Sequence, residues 1–138
     1  MLDLQQKLEA AAKAVIEAAQ SDVTVFTGVS ADEKVTPRVT VTAQSGNETP
    51  QGSGNFTMHL MIEVRSNADD KGVDEHRAYC RTVLGEMSRE DIADLLSQSE
   101  DDFHAFGFTN RSCGESVDDR GWVTVLEMDV YCAGVSLV

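Results

Sequence analysis

The stretch FTMHLMIEVR, residues 56–65, constrains the fold more than any other part of the chain. Phe56, Met58, Leu60, Ile62 and Val64 alternate without a break with Thr57, His59, Met61, Glu63 and Arg65. Side chains on a strand point to opposite faces with a period of two. Ten residues in this pattern therefore specify a central strand with one face on a core. An apolar strand face needs a covering layer, and the remainder of the sequence supplies one.

Leu4, Leu8, Ala11, Ala12, Val15, Ile16 and Ala19 recur at three- and four-residue steps, which predicts an N-terminal amphipathic helix. Asp3 stands where an N-cap belongs, with Gln6 three residues on. SDVTVFTG then reads as a short strand closed by Gly28. In TPRVTVTAQ, Val39, Val41 and Ala43 alternate with Arg38, Thr40 and Thr42, as on a half-buried strand. SGNETPQGSGN, residues 45–55, has three glycines, Pro50 and no large apolar side chain. It reads as a projecting loop, either a binding loop or a hairpin tip with nothing to pack against.

The acidic run around Asp69, Asp70, Asp74, Glu75 and His76 invites a metal or catalytic reading, which the spacing does not support. An EF-hand loop starting at Asn67 would have Lys71 at its fifth position and Ala78 at its twelfth, where an acid and a bidentate glutamate belong. A zincin needs two histidines four apart, and only His76 is present. A helix start explains more. Val73, His76, Cys80, Val83 and Met87 form an apolar stripe, and acids in a first turn favour the positive end of the helix dipole. His76 on that stripe is expected to be packed and hydrogen-bonded. His59, on the polar strand face, has no partner within local reach.

A second short helix follows Ser88, which with Asp91 forms a capping box, and Ile92, Leu95 and Leu96 are its expected buried edge. FHAFGFTNRSC and GWVTVLEMDVYC then read as two strands joined by a turn near VDDRG. On the last strand Trp122, Thr124, Leu126, Met128, Val130 and Cys132 share one face. Val123, Val125, Glu127, Asp129 and Tyr131 share the other. Val123, Val125 and Tyr131 make that second face half apolar, so a partner subunit or a loop of the same chain should cover it. The resulting fold class is α+β. A mainly antiparallel sheet carries an N-terminal helix and a central helix pair on one face, in a single domain over residues 1–138.

Composition narrows function by exclusion. The net charge is −13, from 24 acids and 11 bases, and residues 66–138 carry −10 of it. Such a surface repels phosphate backbones, so the chain is not expected to grip nucleic acid directly. The three cysteines form no C-x-x-C pair and no disulfide framework, which suits a reducing compartment. MLDLQQKLEAAAKAV lacks a basic n-region and a long apolar core, so it reads as helix and not as a signal peptide. No run has the length of a membrane span. GESVD at Ser116 lacks the closing glycine of a nucleophile elbow. Cys80 and Cys132 read as core residues, and Cys113 as an exposed thiol with no nearby histidine. No catalytic residue, metal site or cofactor is expected.

The order of elements, together with GSGNFTMHLMIEVRSNADDKGVDEHRAYCRTVLGEM and GWVTVLEMDVYCAG, resembles the tail terminator, or tail-completion, proteins of tailed bacteriophages. The residues that carry the resemblance are Gly54 to Phe56, Ser66 to Asp70, His76 and Trp122. It implies a non-enzymatic virion protein of the tail or neck, made in the host cytoplasm and assembling as a ring, commonly hexameric. The ring would join the tail tube protein to a head-side connector, with DNA passing through the lumen unbound and no membrane involved. By the same analogy, Asn47, Glu48, Pro50, Gln51 and Ser53 of the loop are candidate contacts to other subunits or to the tube. Val123, Val125 and Tyr131 are the candidates on the sheet.

Overall fold

The computed structural model describes residues 2–19, 24–28, 37–48, 55–67, 72–85, 87, 89–98, 104–118 and 121–133. The elements run α1 (Leu2–Ala19), β1 (Thr24–Thr27), β2 (Arg38–Glu48), β3 (Asn55–Ser66), α2 (Val73–Gly85), α3 (Arg89–Ser97), β4 (His104–Asp118) and β5 (Gly121–Ala133). Five strands form one sheet in the order β1-β2-β3-β5-β4. β1 runs parallel to β2, and all other pairs are antiparallel. The α+β class and the helices on one face are as the sequence implies.

β3 lies between β2 and β5, as its alternation requires. Met58, Leu60, Ile62 and Val64 are at most 1 % exposed and meet Val39, Val41, Leu126, Met128, Val130 and Cys132 in one core cluster. The helices close this face. Leu4, Leu8, Ala11, Ala12, Val15 and Ile16 of α1, Cys80 and Val83 of α2, and Ile92 and Leu96 of α3 all join the cluster. Each fully buried Leu, Ile or Val side chain stabilises by about 1.5–3 kcal/mol relative to exposure.

α1 also closes a gap in hydrogen bonding. β1 pairs with β2 only as far as Val41, and the Gly28 amide donates to the Val41 carbonyl at 2.8 Å. Beyond that point no described strand pairs with this edge of β2, and α1 side chains bond to it. The Ala43 amide donates to Glu9 Oε2 at 2.8 Å, and Gln5 Nε2 donates to the Ala43 carbonyl at 3.3 Å. Buried backbone groups need partners, so these side chains stand in for the missing strand.

Several boundaries differ from expectation. Asp3 lies inside α1, which begins at Leu2, so it is not the N-cap. Met87 is buried but lies past the end of α2. Leu95 is 39 % exposed, because α3 docks through Ile92 and Leu96 and turns Leu95 outward. The projecting loop is shorter than residues 45–55, since β2 continues to Glu48 and β3 begins at Asn55. Backbone pairing is indifferent to side-chain polarity, and an irregularity between Ser45 and Glu48 brings Glu48 opposite Phe56. Asn47 and Glu48 are thus strand residues, while Pro50, Gln51 and Ser53 lie outside the described residues, as do Asp69, Asp70 and Ser88.

Candidate functional site on the second face of the sheet

The second face of the sheet receives none of the described helices, since their buried apolar residues belong to the core on the first. Register places Arg38, Thr40, Thr42 and Gln44 of β2 beside Thr57, His59, Met61, Glu63 and Arg65 of β3. Val123, Val125, Glu127, Asp129 and Tyr131 of β5 come next, followed by Gly107, Thr109, Ser112, Gly114 and Ser116 of β4.

Side-chain bridges, most of them across strands, join polar and charged groups on this face. His59 Nδ1 and Asp129 Oδ1 are 2.7 Å apart, and Arg111 Nε lies 3.9 Å from Asp129 Oδ2. Ser112 donates to Glu127 at 3.3 Å. Arg65 reaches over β5 to both carboxylate oxygens of Asp118 at 3.1 Å, and its Nε sits 3.6 Å from Glu63. That span crosses Gly121, whose φ of 132° suits glycine, and it passes beside Val123. Val123 is only 6 % exposed although it lies outside the main core, and Arg65 stands opposite it in the β3–β5 register.

At the opposite end the face stays open. Phe106 is 67 % exposed and its ring centroid lies 6.5 Å from that of Tyr131. Tyr131 leans over Gly107, where an added Cβ would come within 3.1 Å of the tyrosine ring. Phe106 sits at a bulge between the paired residues Ala105 and Gly107, which turns it onto this face. Val125 and Tyr131 are half-buried. Of the three predicted sheet residues, two remain available to a partner and Val123 does not.

The His59–Asp129 pair has the base-and-orienter geometry of hydrolytic sites, but such a site also needs a nucleophile and room for a substrate. The depression beside His59, lined by Thr42, Gln44, Met61, Arg111 and Glu127, measures about 130 Å³. Small-molecule sites usually measure about 300–1,000 Å³. The nearby hydroxyl of Ser112 is engaged with Glu127. This geometry suits a polar contact surface better than turnover.

A second polar cluster is sealed in the core. His76 is fully buried, with Nδ1 2.8 Å from Ser66 Oγ and Nε2 2.9 Å from Thr124 Oγ1. One ring nitrogen donates and the other accepts, which satisfies both hydroxyls. Cys80 Sγ lies 3.4 Å from Nε2. Burial holds the His76 pKa below its ordinary value; Glu115 opposes the shift, and Arg77 adds to it. The ring is therefore neutral and pins α2 to β3 and β5. Burial also raises the Cys80 thiol and pushes Cys132 to about 12, which leaves both inert, while Cys113 is exposed. On the surface above, Arg77 clasps Glu115 of β4 through Nε and Nη2 at 2.8–3.2 Å. The hydrogen bond and the opposite charge raise the Arg77 pKa and lower that of Glu115.

Sequence reasoning anticipated the burial of His76 and missed the pairing of His59. Asp129 is 70 residues away and becomes a neighbour only through the β3–β5 register. Among the described residues, no group of three or more His, Cys, Asp or Glu is placed to hold a metal ion. No described helix is long and apolar enough to cross a membrane. The chain matches no protein-family model, and no curated protein is significantly similar to it.

Proposed function

We propose that this chain is a structural protein of a tailed-bacteriophage particle. In this reading it forms a ring, commonly hexameric, at the end of the tail tube and joins the tube to a head-side connector or neck protein. The observation that carries the reading is the one-sided sheet. A helix layer closes one face, while Tyr131, Val125 and Met61 stand half-buried and Phe106 exposed on the other, among side chains hydrogen-bonded or ion-paired within the subunit. Charges already paired cost less to cover, so a face of this kind is suited to burial against another protein. The excess of acids, −13 in all, suits a lumen through which DNA passes without sticking.

Native mass spectrometry and negative-stain imaging, with and without tail tubes, test the proposal. Rings or ring-capped tubes are the expected result; a monomer under every condition overturns it. Tyr131→Lys and Val125→Lys should leave the monomer folded and weaken capping of tubes by at least about tenfold, as expected for a central apolar contact. Unchanged capping would remove this face from the reading. The His59–Asp129 pair is the observation that favours a small hydrolytic domain instead. His59→Ala with retained assembly, and no turnover by the wild type of ester, amide or phosphoester substrates, disposes of that alternative.

A further inference from the structure

A groove of about 590 Å³ opens on the helix side of the molecule, between α2, the start of α3 and the β4–β5 hairpin. Its apolar lining includes Leu84, Cys113 and Leu126. Arg81 and Arg89 stand on its rim, in a chain with more than twice as many acids as bases. Asn110 accepts a 2.6 Å hydrogen bond from Arg89 Nη2, which holds that side chain at the groove. Arg81 is exposed and enters no ion pair among the described residues.

The complementary surface lies on the same short helix. On the side that borders Ala14, Val15 and Ala18 of α1, α3 presents Asp91, Asp94, Leu95 and, just past its end, Gln98, all exposed. Their spacing is i, i+3, i+4 and i+7, the pattern by which one helix face enters a groove. Leu95 is one of only three large apolar side chains exposed among the described residues, and the Asp94 carboxylate has no ion-pair partner among them. Arg89 and Asp94 are five positions apart, which at 3.6 residues per turn sets them about 140° apart around α3. A subunit therefore cannot dock its own stripe into its own groove.

We propose that the α3 stripe of one copy of this chain docks into the Arg81–Arg89 groove of the next. Leu95 enters the apolar floor, and Asp94 meets Arg81 at the rim. Because groove and stripe are different surfaces, the contact is head-to-tail, and a head-to-tail contact that closes generates a ring. The inference rests on the ring reading above and supplies its lateral contact, leaving the second face of the sheet for the tube or the connector.

The test is a charge exchange read by native mass spectrometry at fixed protein concentration, with circular dichroism to verify folding. Arg81→Glu and Asp94→Arg should each lower the ring population at least about tenfold, and the double variant should restore it to within about threefold of wild type. Leu95→Ser should weaken the ring without a charge change. Wild-type rings left intact by all of these substitutions would overturn the lateral contact and leave the ring reading standing. Loss in the single variants without recovery in the double would refute the Asp94–Arg81 pairing. A wild type that stays monomeric, even with tail tubes, overturns both.

Discussion

His76 gives up all contact with water, and the two hydroxyls that meet it, on Ser66 and Thr124, are nearly as buried. Such a network is stable only when complete, because each orphaned polar group retains a desolvation cost of about 1–3 kcal/mol. His76→Leu is therefore expected to destabilise the protein by about 2–4 kcal/mol in urea unfolding near neutral pH. Adding Ser66→Ala and Thr124→Val should recover most of the loss, since no polar group is then left unpaired. No recovery would mean that ring shape, and not hydrogen bonding, fixes α2. The same residue sets a pH dependence. Its folded pKa lies below the ordinary value of 6.5, so the unfolded chain takes up the proton first as pH falls. Its stabilising contribution is complete above about 6.5 and declines as pH drops from there towards the folded pKa. His76→Leu should flatten that part of the stability profile. The helical stripe alone made the burial of His76 legible, whereas its partners, 10 and 48 residues away, depend on register that no local pattern encodes.

Among the elements, β3 was the most legible because one periodicity fixes both its extent and its inward face. The same alternation predicts a contrast between neighbours. Ile62 is fully buried under the helices, while Met61 faces the other side and is half-buried. Ile62→Ala should cost about 2–5 kcal/mol in chemical unfolding of the monomer, and Met61→Ala less than about 1 kcal/mol. Equal costs would mean that the second face is packed within the subunit, which would remove it as a contact surface. Elements held by backbone ladders were harder to read. The end of β2 and the outer half of β4 are polar strands whose pairing depends on their neighbours β3 and β5. α3 was misjudged at Leu95 because a helix of nine residues buries whichever edge its neighbours reach, and α1 and β4 reach Ile92 and Leu96.

At the scale of the whole molecule, the net charge of −13 opposes any assembly of identical copies. Two opposing ranges of electrostatics then act on a ring. Repulsion between whole subunits is long-range and is felt where the Debye length is about 30 Å, near 0.01 M salt, but is much weaker at about 8 Å, near 0.15 M. The Asp94–Arg81 contact acts over a few ångströms at a partly desolvated rim, where this change screens it less. Ring formation should therefore strengthen as salt rises from about 0.01 to 0.15 M, and level off or reverse towards 1 M as the Debye length falls to about 3 Å. Sedimentation velocity across that series measures the effect. The charge-exchanged double variant, with the same net charge, should follow the same curve. Arg81→Glu, which makes each copy more acidic and breaks the rim contact, should need more salt to associate at all. Association that weakens steadily from the lowest salt upward would show attraction between charged patches outweighing the repulsion between whole subunits. The acidic surface would then be part of the adhesive, and its assignment to the lumen would fall.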